Sequence, residues 1–379
     1  MLKPDKNFLI NALLLCLSIL FSLAVLEIVY RVYIYHNLKK TITAQLLQSS
    51  NDWCIYDSET GYRYKPNLNV TNSPGKGCWK TNQHGLVSNE DYPVEKPLNE
   101  YRIIVIGDSF TANINETVRW ADVLQEKLNQ SDEWKAAAGG KFTRVINCGH
   151  DGIGVQQMGA VFQYRALEFQ PDLVIVNFIA DDVVRKFFSR GQTNFKSEEE
   201  RRQFIKKYVQ ETQLDPLPWR GIYSEVLATI LGPFGKHVGM PRRLIPFSAG
   251  DGNLYFRNHP RDNAKQISAA VEIFKKAQKT VPHALFLNHP MFEELTGTSE
   301  KDMPWLNGLL EQLVAEAKSH HIEIILMRNH LSMPIPQDRA ELMKWFNFPI
   351  DTHNSDLGVR IYGESVAHLI IQRRSVLAP

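Results

Sequence analysis

The chain alternates between short, largely apolar runs and longer stretches in which apolar residues recur at every third or fourth position. A short apolar run is typical of a strand buried on both faces, whereas recurrence at three to four residues is typical of an amphipathic helix. Strands with both faces covered by helices predict an α/β fold built on a doubly wound, parallel five-stranded sheet. The predicted strands lie at 103–106, 143–147, 173–178, 283–287 and 322–327.

A different pattern occupies the amino-terminal end, where residues 8–26 are nearly all apolar and carry no charge. At about 1.5 Å per residue, a helix over this run comes close to spanning the roughly 30 Å apolar core of a bilayer. We therefore predict an uncleaved transmembrane anchor within residues 1–31. A cleaved signal peptide is the alternative, but the run is long for one and no small-x-small cleavage site closes it.

Two other regions depart from the alternation of strands and helices. Residues 32–100 are rich in turn-forming residues, and we interpret them as a connecting region ahead of a globular domain at 101–379. Within that domain, residues 183–260 begin with a charged helix predicted over 196–210 and continue as irregular sequence rich in proline and glycine. We interpret this stretch as a helical insertion or cap.

Composition and charge narrow the functional classes. Hydrophobic residues make up 44% of the 379-residue chain and charged residues 22%, which is typical of a well-packed globular protein. The formal net charge is only +2 and no long basic run is present, so nucleic acid is not an expected partner. The cysteines and histidines lack the spacing of a zinc site, and neither a metal nor a cofactor is expected.

Cys54 and Cys78 leave two interpretations open. Both lie in a stretch with weak secondary-structure signals. A disulfide between them would close a loop worth about 3 kcal/mol and would place the domain in an oxidising compartment. Two unpaired thiols are the alternative.

The strongest chemical signal is the serine that follows the first predicted strand. The strand at 103–106 runs directly into Gly107-Asp108-Ser109, a turn that would lift one hydroxyl to the edge of the sheet. The turns at 149–154 and 180–182 also follow predicted strands. Because ligands bind beyond the carboxyl ends of parallel strands, we expect these three turns to meet at one rim and to form a site there.

Asp351 and His353 lie two residues apart near the end of the chain. With Ser109 they supply the parts of an acyl-transfer triad, in which the imidazole takes the serine proton and the acid orients the imidazole. The alternative is structural, with Ser109 as an ordinary turn residue and the Asp-x-His pair in a surface turn. The order of these motifs along the chain favours catalysis.

Four ordered blocks resemble the SGNH, or GDSL, hydrolase family, in the form found in membrane-anchored bacterial members. The blocks are Gly107–Phe110, Asn147–Gly152, Ala180–Asp182 and Asp351–His353. The resemblance implies a flavodoxin-like SGNH hydrolase fold with Ser109 as nucleophile, His353 as general base and Asp351 as the orienting acid. It also implies an oxyanion hole formed by the backbone N–H groups of Ser109 and Gly152 and by the side chain at position 181.

Position 181 departs from the family pattern, because Asp181 stands where the family has an asparagine. An ionised carboxylate accepts hydrogen bonds and would repel a developing oxyanion, and one lost donor typically costs about 2.7–4 kcal/mol of transition-state stabilisation. Three outcomes stay open at this point. Either Asp181 is protonated and donates a hydrogen bond, or its side chain is turned away from the oxyanion hole, or the protein has lost hydrolytic activity.

The function that follows is a membrane-anchored serine esterase acting on acyl esters, with O-acetyl groups on surface glycans as the substrates that the family resemblance suggests. The expected partners are the membrane, through the amino-terminal helix, and an acylated carbohydrate or small ester. The expected location is a single-pass anchor with an extracytoplasmic, periplasmic domain. The alternatives are a glycan O-acyltransferase with the same triad, and a non-catalytic glycan-binding or assembly protein that keeps the fold.

Overall fold

The computed structural model describes residues 53–57, 59–70, 79–113, 117–185, 263–297, 304–347 and 352–378, together with residues 199 and 203 and single positions between 7 and 29. The chain divides into two compact units, one of residues 1–48 and 202–255, the other of residues 49–201 and 256–379. Apart from residues 199 and 203, the charged helix predicted over 196–210 lies outside the described residues. So does Cys78, and the pairing of Cys78 with the buried Cys54 stays a prediction.

The single positions described between 7 and 29 are helical. Large apolar side chains among them are exposed, including Leu14, Leu15 and Phe21. Counting only residues that the structure describes, no helix combines the length and the apolar character needed to cross a membrane.

Two small antiparallel strand pairs precede the main sheet. Strand β1 (Cys54–Asp57) pairs with β2 (Gly61–Tyr64), and β3 (Asn69–Val70) pairs with β4 (Trp79–Lys80). Tyr62 and Tyr64 in β2 are 3% and 1% exposed and belong to the same hydrophobic core as the main sheet. Where it is described, the segment predicted as a connecting region is therefore a packed part of the second unit.

The main sheet has five parallel strands in the order β6–β5–β7–β8–β9. They are β5 (Glu100–Gly107), β6 (Phe142–Asn147), β7 (Leu173–Phe178), β8 (His283–Asn288) and β9 (Ile324–Leu326). This confirms the doubly wound, flavodoxin-like sheet. The strand order reverses between β5 and β7, and the carboxyl ends of strands at such a switch point are where ligands bind in open α/β sheets.

Helices cover both faces of the sheet, and every residue of β5 and β7 is buried. The helices are α1 (Ser109–Ala112), α2 (Trp120–Gln130), α3 (Asp132–Ala137), α4 (Val155–Val161), α5 (Ala180–Val184), α6 (Asn263–Thr280), α7 (Phe292–Leu295), α8 (Pro304–Ser319), α9 (Arg339–Met343), α10 (Asp356–Gln372) and α11 (Arg374–Leu377). Successive side chains of a strand point to opposite faces. Ile104 of β5 accordingly packs in one core with α4, α6 and α8, and Ile103 packs in the other core with α2 and α10.

Candidate active site

The turn after β5 delivers Ser109 to the rim of the sheet. Ser109 opens the short helix α1, and the side chain of Asp108 caps that helix by accepting a hydrogen bond from the Phe110 N–H at 3.0 Å. Gly107 has no room for a side chain, because an added Cβ would lie 2.1 Å from Thr111 Oγ1. The strand can therefore approach α1 closely, and Ser109 remains partly exposed.

His353 lies beside this hydroxyl. Its Nε2 is 2.8 Å from Ser109 Oγ, although the two residues are 244 positions apart in the chain. The carbonyl of His353 accepts a hydrogen bond from the Asn347 N–H at 2.8 Å, which fixes the backbone of the loop. This is the geometry that an imidazole needs to take a serine proton. Asp351 lies outside the described residues, so its role as orienting acid stays a prediction.

A second histidine, His289, supports the site from behind. Its ring centre is 3.8 Å from that of Tyr362. The side-chain amide Nδ2 of Asn177 donates to His289 Nδ1 at 3.4 Å, and His289 Nε2 donates to the side-chain oxygen of Asn354 at 3.3 Å. Burial lowers the pKa of His289 to about 3, so its imidazole is neutral and structural.

The rings of this part of the site pack against one another. The Phe110 ring centre is 5.0 Å from that of His289 and 4.8 Å from that of His353. We call this cluster the aromatic side of the site; it comprises Phe110, His289, His353 and Tyr362. Ring packing and neutral hydrogen bonds hold the aromatic side together.

The loop after β6 carries Gly152, the predicted second oxyanion donor. Gly152 has φ +75°, a left-handed conformation that favours glycine. The Asn147 side chain joins this loop to the serine turn, since its Nδ2 donates to Thr111 O at 2.8 Å and its Oδ1 accepts from Gly149 N at 2.9 Å. The His150 N–H also donates to Gly107 O at 2.9 Å. The loop is thus built directly onto the turn that holds Ser109.

Two tyrosines of strand β2 form hydrogen bonds with the same loop. The Tyr62 hydroxyl donates to the carbonyl of Asp151 at 2.6 Å, and the Asp151 N–H donates to the Tyr64 hydroxyl at 2.9 Å. His150 stacks on Tyr64, with ring centres 5.7 Å apart, and meets Tyr62 edge-on. Burial lowers the pKa of His150 to about 4, so this ring is also neutral. From the sequence, this strand is interpreted only as part of the connecting region, with no role at the site.

Asp181 and Asp182 follow β7 in the first turn of α5, and both face Arg185. Arg185 Nη2 is 3.3 Å from Asp181 Oδ2, and Nη1 is 2.8 Å from Asp182 Oδ1. Nη1 also lies 3.9 Å from Asp108 Oδ2. We call this cluster the ionic side of the site; it comprises Asp108, Asp181, Asp182 and Arg185. Sequence reasoning missed Arg185, although an arginine three and four residues after two aspartates on a helix is the spacing of a helical ion pair.

Burial governs the electrostatics of the ionic side. Burial raises the pKa of Asp108, and burial together with the neighbouring Asp108 raises the pKa of Asp182 well above its ordinary value. Burial opposes the charge of Arg185, but the three carboxylates outweigh it and raise the pKa of the guanidinium. The Asp181 side chain lies in an ion pair with Arg185, and its place in the oxyanion hole stays a prediction.

Among the described residues, no His, Cys, Asp and Glu side chains form a group that could hold a metal ion.

Residues 103–281 match the family model described as GDSL-like lipase/acylhydrolase. This stretch, somewhat less than half of the chain, is therefore similar to a GDSL acylhydrolase domain. The match covers the first three blocks, from Ser109 to Asp182, and the prediction of a serine ester hydrolase of the SGNH/GDSL type is confirmed. No curated protein matches the chain.

Several solved structures are similar to this chain. An alpha/beta hydrolase enzyme from the metagenome of Lake Arreo, Spain, shares 14% identity at a TM-score of 0.39, covering 74% of this chain and 97% of the other. The lipase/acylhydrolase from Enterococcus faecalis shares 13% identity at a TM-score of 0.37, covering 72% of this chain and 96% of the other. An acetylxylan esterase from Geobacillus stearothermophilus shares 10% identity at a TM-score of 0.39, covering 72% of this chain and 93% of the other.

Proposed function

We propose that this protein is a membrane-anchored serine esterase in which Ser109 and His353 hydrolyse small acyl esters. The observation that carries the proposal is the 2.8 Å separation of His353 Nε2 and Ser109 Oγ at the rim of the sheet. A serine hydroxyl is a weak nucleophile by itself, and an imidazole within hydrogen-bonding distance is what activates it.

The reaction proceeds through two acyl transfers. Ser109 Oγ attacks the ester carbonyl while its proton passes to His353 Nε2, and the tetrahedral oxyanion collapses as the imidazolium protonates the departing alkoxide. Water then attacks the acyl-serine, giving its proton to the same nitrogen, and the second collapse releases the carboxylic acid and returns the proton to Ser109. The backbone N–H groups of Ser109 and Gly152 are the proposed oxyanion donors.

The proposed substrates are O-acetyl groups on surface glycans, and the proposed location is the outer side of a membrane. The match of residues 103–281 to an acylhydrolase family model supports acyl-ester chemistry. The uncharged apolar run at residues 8–26 supports an anchor, and an anchored extracytoplasmic domain would lie beside surface carbohydrate. Retention of the full-length protein in membranes after alkaline carbonate washing is expected, and its release into the soluble fraction would contradict the anchor.

Hydrolysis is tested with the full-length protein purified in detergent. Wild type is expected to turn over p-nitrophenyl acetate and to label with a fluorophosphonate, whereas Ser109→Ala loses both. Ser319→Ala, which changes an exposed serine at the end of α8, is the matched control and should behave as wild type. Equal turnover by wild type and Ser109→Ala would reject the esterase.

A second arm of the same experiment asks what accepts the acyl group. An esterase transfers acetyl to water, so acetate release should equal nitrophenol release with or without added oligosaccharide. If added oligosaccharide becomes acetylated faster than acetate is released, the protein is an acyltransferase with the same nucleophile. Absence of turnover and of labelling in wild type would favour the non-catalytic alternative.

A further inference from the structure

We infer that Arg185 is a positioning residue that joins the three turns of the active site and holds the Asp181 carboxylate in an ion pair. The inference deepens the proposed function and rests on it. It explains how a GDSL-type site can carry an aspartate at the position where the family has an amide.

The contacts of Arg185 reach every turn that the oxyanion hole needs. Its Nη1 donates to the carbonyl of Ile153 at 2.9 Å, next to Gly152. The same nitrogen lies 3.9 Å from Asp108, the neighbour of Ser109. Its ion pair with Asp181 reaches the third turn. One side chain therefore contacts all three turns.

The fit around Arg185 is tight. An added Cβ on Gly154 would lie 2.8 Å from the carbonyl oxygen of Asp182 and 2.9 Å from that of Arg185. The second turn thus packs against the backbone at the end of α5 with no room to spare. The Arg185 side chain is 12% exposed, so water contributes little to solvating its charge. At a buried position, a guanidinium and its carboxylate partners fix each other's positions through charge-assisted hydrogen bonds.

The positive charge of Arg185 also affects the electrostatics of the predicted oxyanion hole. A carboxylate near the oxyanion hole would oppose the negative charge that builds up in the transition state. The ion pair compensates the charge of Asp181 and keeps one of its oxygens on Nη2. An uncharged residue at position 185 would leave the Asp181 carboxylate without this cation. A neutral amide at position 181 would need no such compensation.

This reasoning predicts that the two residues depend on each other. Arg185→Gln should lower kcat for p-nitrophenyl acetate about 100-fold with little change in KM, since the donors and the local charge are disturbed more than substrate access. Asp181→Asn in the same chain should recover at least tenfold of that loss. Arg185→Lys, which keeps the charge but not the planar fork, should fall between wild type and Arg185→Gln.

The control is Arg165→Gln. Arg165 is also a largely buried arginine, with its side chain 15% exposed. Its Nη2 donates to the carbonyl of His84 at 2.8 Å and its ion-pair partner is Glu168, and both of these residues lie outside the three turns. Its replacement should lower the thermal midpoint and leave kcat within about twofold of wild type. A purely structural role for Arg185 would make Arg185→Gln behave in the same way.

The experiment uses full-length protein and measures kcat, KM and thermal midpoint for wild type, the three single variants at 181 and 185, and the Asp181→Asn/Arg185→Gln double variant. A kcat of Arg185→Gln within twofold of wild type, or a double variant no better than Arg185→Gln, overturns the inference. If Arg185→Gln does not fold, recovery of folded protein in the double variant supports the inference and its absence overturns it.

These outcomes are separate from failure of the proposed function. A wild-type protein without turnover and without fluorophosphonate labelling rejects the esterase. In that case the thermal midpoints still decide the pairing of Arg185 with Asp181. Recovery of the midpoint lost in Arg185→Gln by Asp181→Asn supports it, and independent, additive losses overturn it.

Discussion

The aromatic side and the ionic side of the site hold their catalytic groups by different forces. On the aromatic side, closely packed, tilted rings and hydrogen bonds place His353 against Ser109, and the buried His289 remains uncharged. On the ionic side, one guanidinium is shared among three carboxylates beside the predicted oxyanion donors. The comparison teaches that packing positions the proposed base, whereas the proposed oxyanion donors depend on the charge state of buried groups.

The two sides should therefore respond to pH in opposite directions. His289 binds a proton more weakly in the folded protein than in the unfolded chain, so its contribution to stability is lost as pH falls below about 6.5. Asp182 binds a proton more strongly in the folded protein, so its contribution is present at low pH and is lost as pH rises above about 3.8 toward the raised pKa. Variants that remove one titration at a time separate the two contributions.

The largest effect should come from the base on the aromatic side. His353→Ala removes the group that takes the Ser109 proton, and kcat for p-nitrophenyl acetate should fall by about 10²–10⁴-fold. Steady-state kinetics on the full-length protein measure this. His330→Ala, at an exposed position, is the control and should match wild type. A His353→Ala variant with kcat near that of wild type would mean that packing on the aromatic side does not serve base catalysis.

His289→Gln tests the neutral imidazole behind the base. Glutamine can still exchange hydrogen bonds with Asn177 and Asn354 but does not titrate. In wild type each pH unit between about 6.5 and 3 costs about 1.4 kcal/mol of stability through this group, and the variant should lose that part of the slope. Denaturant unfolding at pH 4, 5 and 6 measures the slope, with exposed His330→Gln as control. An unchanged slope would show that His289 is protonated in the folded protein.

Asp182→Asn makes the opposite test on the ionic side. The buried carboxyl takes up a proton in the folded state, and an amide removes that titration while it can still accept from the Ile179 N–H. Relative to wild type, the variant should gain stability as pH rises above 3.8, by at most about 1.4 kcal/mol per pH unit. Asp132→Asn, with a side chain 98% exposed, is the control. A relative stability that falls as pH rises would mean that Asp182 is fully ionised in the folded protein.

The sequence predicted the aromatic side better than the ionic side for a physical reason. Parallel strands bring their carboxyl ends to one rim, so the three turns could be placed near each other from the strand pattern. The triad pattern and the family resemblance then linked the later Asp-x-His motif to Ser109, which gave the aromatic side its base. The contact between Arg185 and Asp108 depends on how the end of α5 packs against a distant turn. The hydrogen bond from Tyr62 to Asp151 joins residues 89 positions apart, and no local sequence pattern predicts it.

The smallest expected effect concerns strand β2, whose tyrosines hold the second turn, which Arg185 of the ionic side also contacts. Tyr64→Phe keeps the ring that stacks on His150 and removes only the hydroxyl that accepts from the Asp151 N–H. One such hydrogen bond is worth about 1 kcal/mol, so kcat should fall about fivefold at nearly constant KM as Gly152 becomes less well placed. Tyr164→Phe, at a side chain 46% exposed, controls for the loss of a hydroxyl and should leave kcat unchanged. If Tyr64→Phe lowers the thermal midpoint but not kcat, strand β2 supports the fold without positioning the oxyanion loop, and the ionic side is set by Arg185 and the turns it joins.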